Sequence, residues 1–147
     1  MAAATEQVQG LGTGARLRAR AIVMVAAVLA TLVVWAIAAL AFGQDDLVVQ
    51  QPGKEEMELA AGAFVFFSAV PSLLGWILLE VLERFAPARA RIVWTVVAVV
   101  VLLLSFLPVI QVEATGGTKV TLALLHLVVG AVLIPGFWRT GRGRAAE

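Results

Sequence analysis

The chain has 147 residues, of which 61% are hydrophobic and 14% charged, with a formal net charge of +1, one histidine and no cysteine. A charged fraction well below the roughly 25% of soluble domains excludes an ordinary water-soluble fold. The absence of cysteine excludes disulfides, thiolate metal sites and cysteine nucleophiles.

Residues 1–20 form a small, polar and then basic segment, with Arg16, Arg18 and Arg20 at its end. Its first part has no hydrophobic period and is expected to be a disordered cytoplasmic tail. The first uninterrupted apolar run is Ala21 to Ala41. An arginine-rich flank ahead of an apolar stretch that ends in Ala39-Leu40-Ala41 resembles a cleavable export signal, but signal cores are about 7 to 15 residues long and this run is longer, which favours a membrane span. The connection 42–58 is acidic, with Asp45, Asp46, Glu55, Glu56 and Glu58 against Lys54. It holds a β-prone stretch, Leu47-Val48-Val49, and then the turn pair Pro52-Gly53, and is placed to fold over the mouth of the helices. The acids lack the regular ligand spacing of a calcium loop and read as a solvated surface.

The second run is Leu59 to Leu79. Pro71 stands well inside it and predicts a kink, because its nitrogen has no hydrogen to give the Phe67 carbonyl. Ser68 and Ser72 flank the proline and can return hydrogen bonds to strained carbonyls. With Gly75 they also place small residues on one face, which lets another helix come close. Glu80, Glu83 and Arg84 follow as interfacial charge, and Pro87 ends the turn. The third run, Ile92 to Ile110, is rich in Val and Leu; Thr95 and Ser105 are its only polar side chains before Pro108. The fourth run is Val120 to Phe137, followed by a basic tail, 139–147. Within it, Gly130 and Pro135 are packing or kink positions.

The four runs are about 27 to 32 Å long as helices and contain no Asp, Glu, Lys or Arg, so each matches a hydrocarbon core of about 30 Å. Continuous rather than alternating hydrophobicity favours helices over a barrel. The expected fold is all-α: an antiparallel four-helix bundle forming a single transmembrane domain over residues 21–138. All nine arginines lie before run one, between runs two and three, or after run four, whereas both lysines lie in the other gaps. Basic flanks stay in the cytoplasm, so both termini are expected there, with loop 42–58 outside, in a bacterial plasma membrane. Trp94 and Trp138, at the cytoplasmic ends of their runs, read as interfacial anchors, and Trp35 and Trp76 as packing residues.

His126 is out of place. It lies about 9 Å inside the outer boundary by helix rise, where an ionisable side chain marks a site or a buried partner contact. Its neutral ring needs both a donor and an acceptor satisfied. Ser105 at nearly equal depth and Ser68 somewhat deeper are the expected partners; Thr31 lies deeper still. Gly130, four residues on, shares its face, so that face is expected to point inward. A lone imidazole makes a poor metal site, no catalytic constellation or phosphate loop occurs in the runs, and no cofactor is expected. The arginines need only anionic lipid heads as partners and imply no nucleic acid.

Arg91-Ile92-Val93-Trp94-Thr95, the stretch from Ser105 to Pro108, and above all His126-Leu127-Val128-Val129-Gly130-Ala131-Val132-Leu133-Ile134-Pro135-Gly136 carry a resemblance over most of residues 16–140. The chain resembles a family of small, uncharacterised four-helix membrane proteins common in actinobacteria, a domain of unknown function. The resemblance implies a four-helix architecture and no activity. Short loops, small-residue faces and absent catalytic groups lead to the expectation of a self-associating or accessory membrane subunit, with membrane lipids and a second copy or another membrane protein as partners. The alternative is a carrier or binder of a small lipophilic or weakly ionic ligand, with His126, Ser105, Ser68 and Ser72 as the ligand-binding candidates.

Overall fold

The computed structural model describes residues 12–42, 47–50, 53, 55–59 and 61–141. The tail 1–11, Asp45, Asp46, Pro52, Lys54 and the basic residues Arg142 and Arg144 lie outside the described residues. In chain order the elements are α1 (Thr13–Phe42), β1 (Leu47–Gln50), β2 (Glu56–Leu59), α2 (Ala61–Phe85), α3 (Ala90–Leu104), α4 (Phe106–Gln111) and α5 (Gly116–Thr140). Among the described residues, four helical segments are long and apolar enough to cross a membrane: Thr13–Leu40, Ala61–Phe85, Ala90–Gln111 and Gly116–Thr140. They outrun the apolar stretches of the sequence because a helix need not stop where its side chains turn polar. Residues 13–20, expected to belong to the tail, are thus the first turns of α1, whose start is fixed where Ala15 and Arg16 donate to the Gly12 carbonyl.

α1 packs against α2 and α5, and α3 packs against α2 and α5. Two glycines on α5 set the close approaches. A methyl group placed on Gly136 would stand 2.5 Å from Val23 of α1, and one placed on Gly130 would stand 2.6 Å from Leu102 of α3. On α2, Gly75 of the small face that the sequence offered to a partner helix lies against Trp94 and Phe137 of the same chain, where an added methyl group would stand in ordinary contact at 3.7 and 3.8 Å.

α2 runs unbroken through Pro71, and α5 through Pro135. The Ser68 hydroxyl donates to the Phe64 and Val65 carbonyls, and the Ser72 hydroxyl to the Ser68 carbonyl, so neither reaches the Phe67 carbonyl that Pro71 leaves without its usual donor. A break in the helix falls in the third span, at Ser105, between α3 and α4. Pro108 sits four residues after Leu104 and cannot donate to its carbonyl, which removes a rung of the helix where the interruption falls. Thr115 starts α5, its hydroxyl accepting from the Thr118 amide at 3.2 Å.

The β-prone stretch of the sequence becomes one strand of an antiparallel hairpin, with Leu47 opposite Leu59 and Gln50 opposite Glu56. Gly53 supplies a positive φ of 76°, a conformation that costs glycine little. The hairpin is tied to the α4–α5 link by two backbone bonds between Gln50 and Glu113, of 3.0 and 2.8 Å. Val49 is buried with Phe64, Val109, Val112, Leu122 and Leu125, which places the hairpin over one end of the helices.

Candidate functional site

The two ends of the molecule are built differently. At the end away from the hairpin, Arg20 of α1 is 1% exposed. Its guanidinium donates to Glu80 and, at 2.5 Å, to Glu83, both on α2, and at 3.0 Å to the Thr140 carbonyl that finishes α5. Arg91 of α3 donates to the Gly141 carbonyl at 2.9 Å and lies 5.3 Å over the Trp138 ring. Four helices thus share one network of charges and helix-end carbonyls. Nothing in the sequence pointed to it beyond charges near the membrane boundary: Arg20 read as a topological flank, and Glu80, Glu83 and Arg84 as interfacial charge. The hint available was that Glu80 and Glu83, three residues apart, share a helical face with Trp76, whose Nε1 donates to Glu80 at 3.2 Å.

Below this network the apolar packing is tight. Leu79, Trp94 and Phe137 are buried together, with the Trp94 and Phe137 rings edge to face at 5.3 Å. The Trp94 indole, expected to sit among lipid headgroups, is 3% exposed and donates across to the Gly75 carbonyl of α2 at 2.7 Å. It fixes α3 to α2 rather than to a membrane surface. Trp138 is half exposed, and Trp35 packs against Phe64.

Toward the hairpin the helices leave a cavity of about 1150 Å³. Its walls come from α2, α3 with α4, and α5, with Thr31 of α1, Val49 and Glu55 also contributing. It is not sealed: Phe67, Leu74 and Val101 belong to its lining and are exposed, so it opens at the surface between α2 and α3. The volume is at or above the upper end of the usual range for small-ligand pockets, about 300 to 1000 Å³, and the lining is dominated by Leu, Val and Phe.

Of the residues singled out from the sequence, His126, Ser105, Ser68, Pro71, Gly75 and Gly130 all line this cavity. Ser72 is fully buried and lies outside the lining, as does Pro135. The expected bond between His126 and Ser105 or Ser68 does not form. His126 Nδ1 stands 2.6 Å from the Leu122 carbonyl, one turn back on its own helix, and Ser105 donates to Leu102 at 2.6 Å. In an α-helix a side chain four residues on lies above that carbonyl, so each group meets its own helix before it meets a neighbour. The ring also stacks at a tilt on Phe106, centroids 5.8 Å apart. A carbonyl only accepts, so Nδ1 carries the proton and, in the neutral ring, Nε2 keeps its lone pair.

The model of a protein family described as a family of unknown function (DUF6069) matches residues 12–143, nearly the whole chain. The chain belongs to that family. The match spans all four long helices, the hairpin and the cavity, so the site lies in the family's own domain. No curated protein and no solved structure matches the chain.

Proposed function

We propose that this protein binds a lipophilic molecule within a membrane, in the cavity between α2, α3 and α5. The observation that carries the reading is the cavity itself: about 1150 Å³, apolar, open between two helices, and holding the histidine that the sequence places inside the membrane. The expectation of a self-associating subunit rested on short loops, small-residue faces and absent catalytic groups; of the small positions, Gly130 lies against Leu102, and Gly75 against Trp94 and Phe137, of the same chain.

The setting we propose is an antiparallel four-helix bundle in a bacterial plasma membrane, actinobacterial on the resemblance of the sequence, with both termini in the cytoplasm. Sorting of all nine arginines to alternate gaps supports it. The arginine network then faces the cytoplasm, and the hairpin and cavity mouth the outer leaflet. Reporter fusions at Arg89 and within the hairpin test this orientation; activity of a periplasmic reporter at Arg89 would reverse it.

The binding reading is tested with Val101→Trp, which places an indole in the cavity from an exposed wall position. The variant should keep its thermal unfolding temperature in detergent and lose binding of a fluorescent apolar probe. Equal probe binding by the two proteins would refute occupancy of the cavity.

A further inference from the structure

The polar groups that line the cavity share one chemical property. The Thr31 hydroxyl donates to the Ala27 carbonyl at 2.9 Å, that of Ser68 to Phe64 at 2.7 Å, and that of Ser105 to Leu102. Each hydroxyl proton is therefore spent on its own helix, and what the oxygen offers the cavity is a lone pair. The imidazole has spent its Nδ1 proton on Leu122, and the Trp94 indole proton is given to Gly75. Glu55, exposed at the rim, is a carboxylate and accepts only. The amide of Gln111, also exposed at the rim, is the one lining side chain with donors to spare among the described residues. Among the described residues, no lysine or arginine contributes to the lining.

We infer that the ligand is an amphiphile with a hydrogen-bond-donating head, an alcohol or a primary amine on a long apolar body, and that carboxylates, esters and phosphates are disfavoured. The inference rests on the binding reading above and specifies its ligand. In an apolar cavity an acceptor-only head would surrender its hydration and meet lone pairs, whereas a hydroxyl or ammonium gives its hydrogens to His126 Nε2 and the serine oxygens. An ammonium gains further from Glu55, the one charged side chain of the lining among the described residues.

The test uses four probes with one chain length: tetradecanol, tetradecylamine, myristic acid and methyl myristate. Binding to the full chain is measured by native mass spectrometry from detergent micelles and by thermal shift. The alcohol and the amine should bind about tenfold more tightly than the ester, the size of one additional hydrogen bond. His126→Phe should narrow that ratio to about twofold while ester binding persists, and Glu55→Gln should weaken the amine alone. Equal affinity for all four, or preference for the acid or ester, would overturn the donor-head inference and leave the cavity reading standing. Failure of all four to bind would remove both.

Discussion

The arginine network and the cavity lie in one small molecule, and polar side chains serve opposite purposes in them. At the arginine end, polar groups cross between elements: Arg20 reaches α2 and the end of α5, and Arg91 reaches the Gly141 carbonyl beyond α5. Around the cavity the Trp94 indole crosses to Gly75, but the hydroxyls of Thr31, Ser68 and Ser105, and the imidazole, are bonded to carbonyls three or four residues back along their own segments. The first arrangement holds helices together. The second leaves them free to stand apart and coats the gap with acceptors, so on the function proposed above the two ends divide stability from binding.

The strongest way to break this comparison is Arg20→Met. Removing the guanidinium takes from Glu83, whose side chain is 2% exposed, the cation that stands 2.5 Å away. Breaking a buried ion pair by removing one member costs about 3–5 kcal/mol. Unfolding in mixed micelles should register a loss of that order, and Arg20→Met combined with Glu83→Leu should recover much of it. A loss below about 1 kcal/mol would mean that the network is hydrated rim charge and that the arginine end is not the anchor.

A smaller effect sharpens where the tight packing begins. Gly136→Val should cost about 1–3 kcal/mol by overpacking, because Val23 is β-branched and cannot swing aside. Gly62→Val, at a position with open space around it, should be close to neutral. If the two substitutions cost the same in the same unfolding assay, the α1–α5 contact is looser than its geometry implies.

The spans were legible in the sequence because the solvent reads them: apolar runs as long as a bilayer is thick leave few alternatives. The hairpin was legible only in its first strand, Leu47-Val48-Val49; its second, Glu56–Leu59, read as solvated acids and the start of a span, because its strand character comes from pairing with β1. Gathering His126, Ser105, Ser68 and Gly130 around one space followed from depth and helical spacing alone. The partnerships within that space did not follow, since depth says which residues lie level and not which lone pair a proton chooses. Arg20 was illegible for a related reason: arginines at the start of a span report topology whether or not one of them turns inward. Trp94 shows the same limit, its position at a helix end fitting both a headgroup anchor and the interhelical bond it makes to Gly75.

The smallest expected effect separates the two ends most sharply. An interhelical bond between His126 and Ser105 would be worth about 0.6–2 kcal/mol, and a double-mutant cycle would return it as coupling. Here each group bonds its own helix, to Leu122 and Leu102, so the cycle formed by His126→Phe, Ser105→Ala and the double variant should close to within about 0.5 kcal/mol. The same cycle on Arg20 and Glu83 should show coupling several times larger. Appreciable coupling between His126 and Ser105 would mean that the imidazole bridges α5 to the third span in the protein's membrane. Its Nε2 would then be occupied, and the acceptor surface of the cavity would lose its central member.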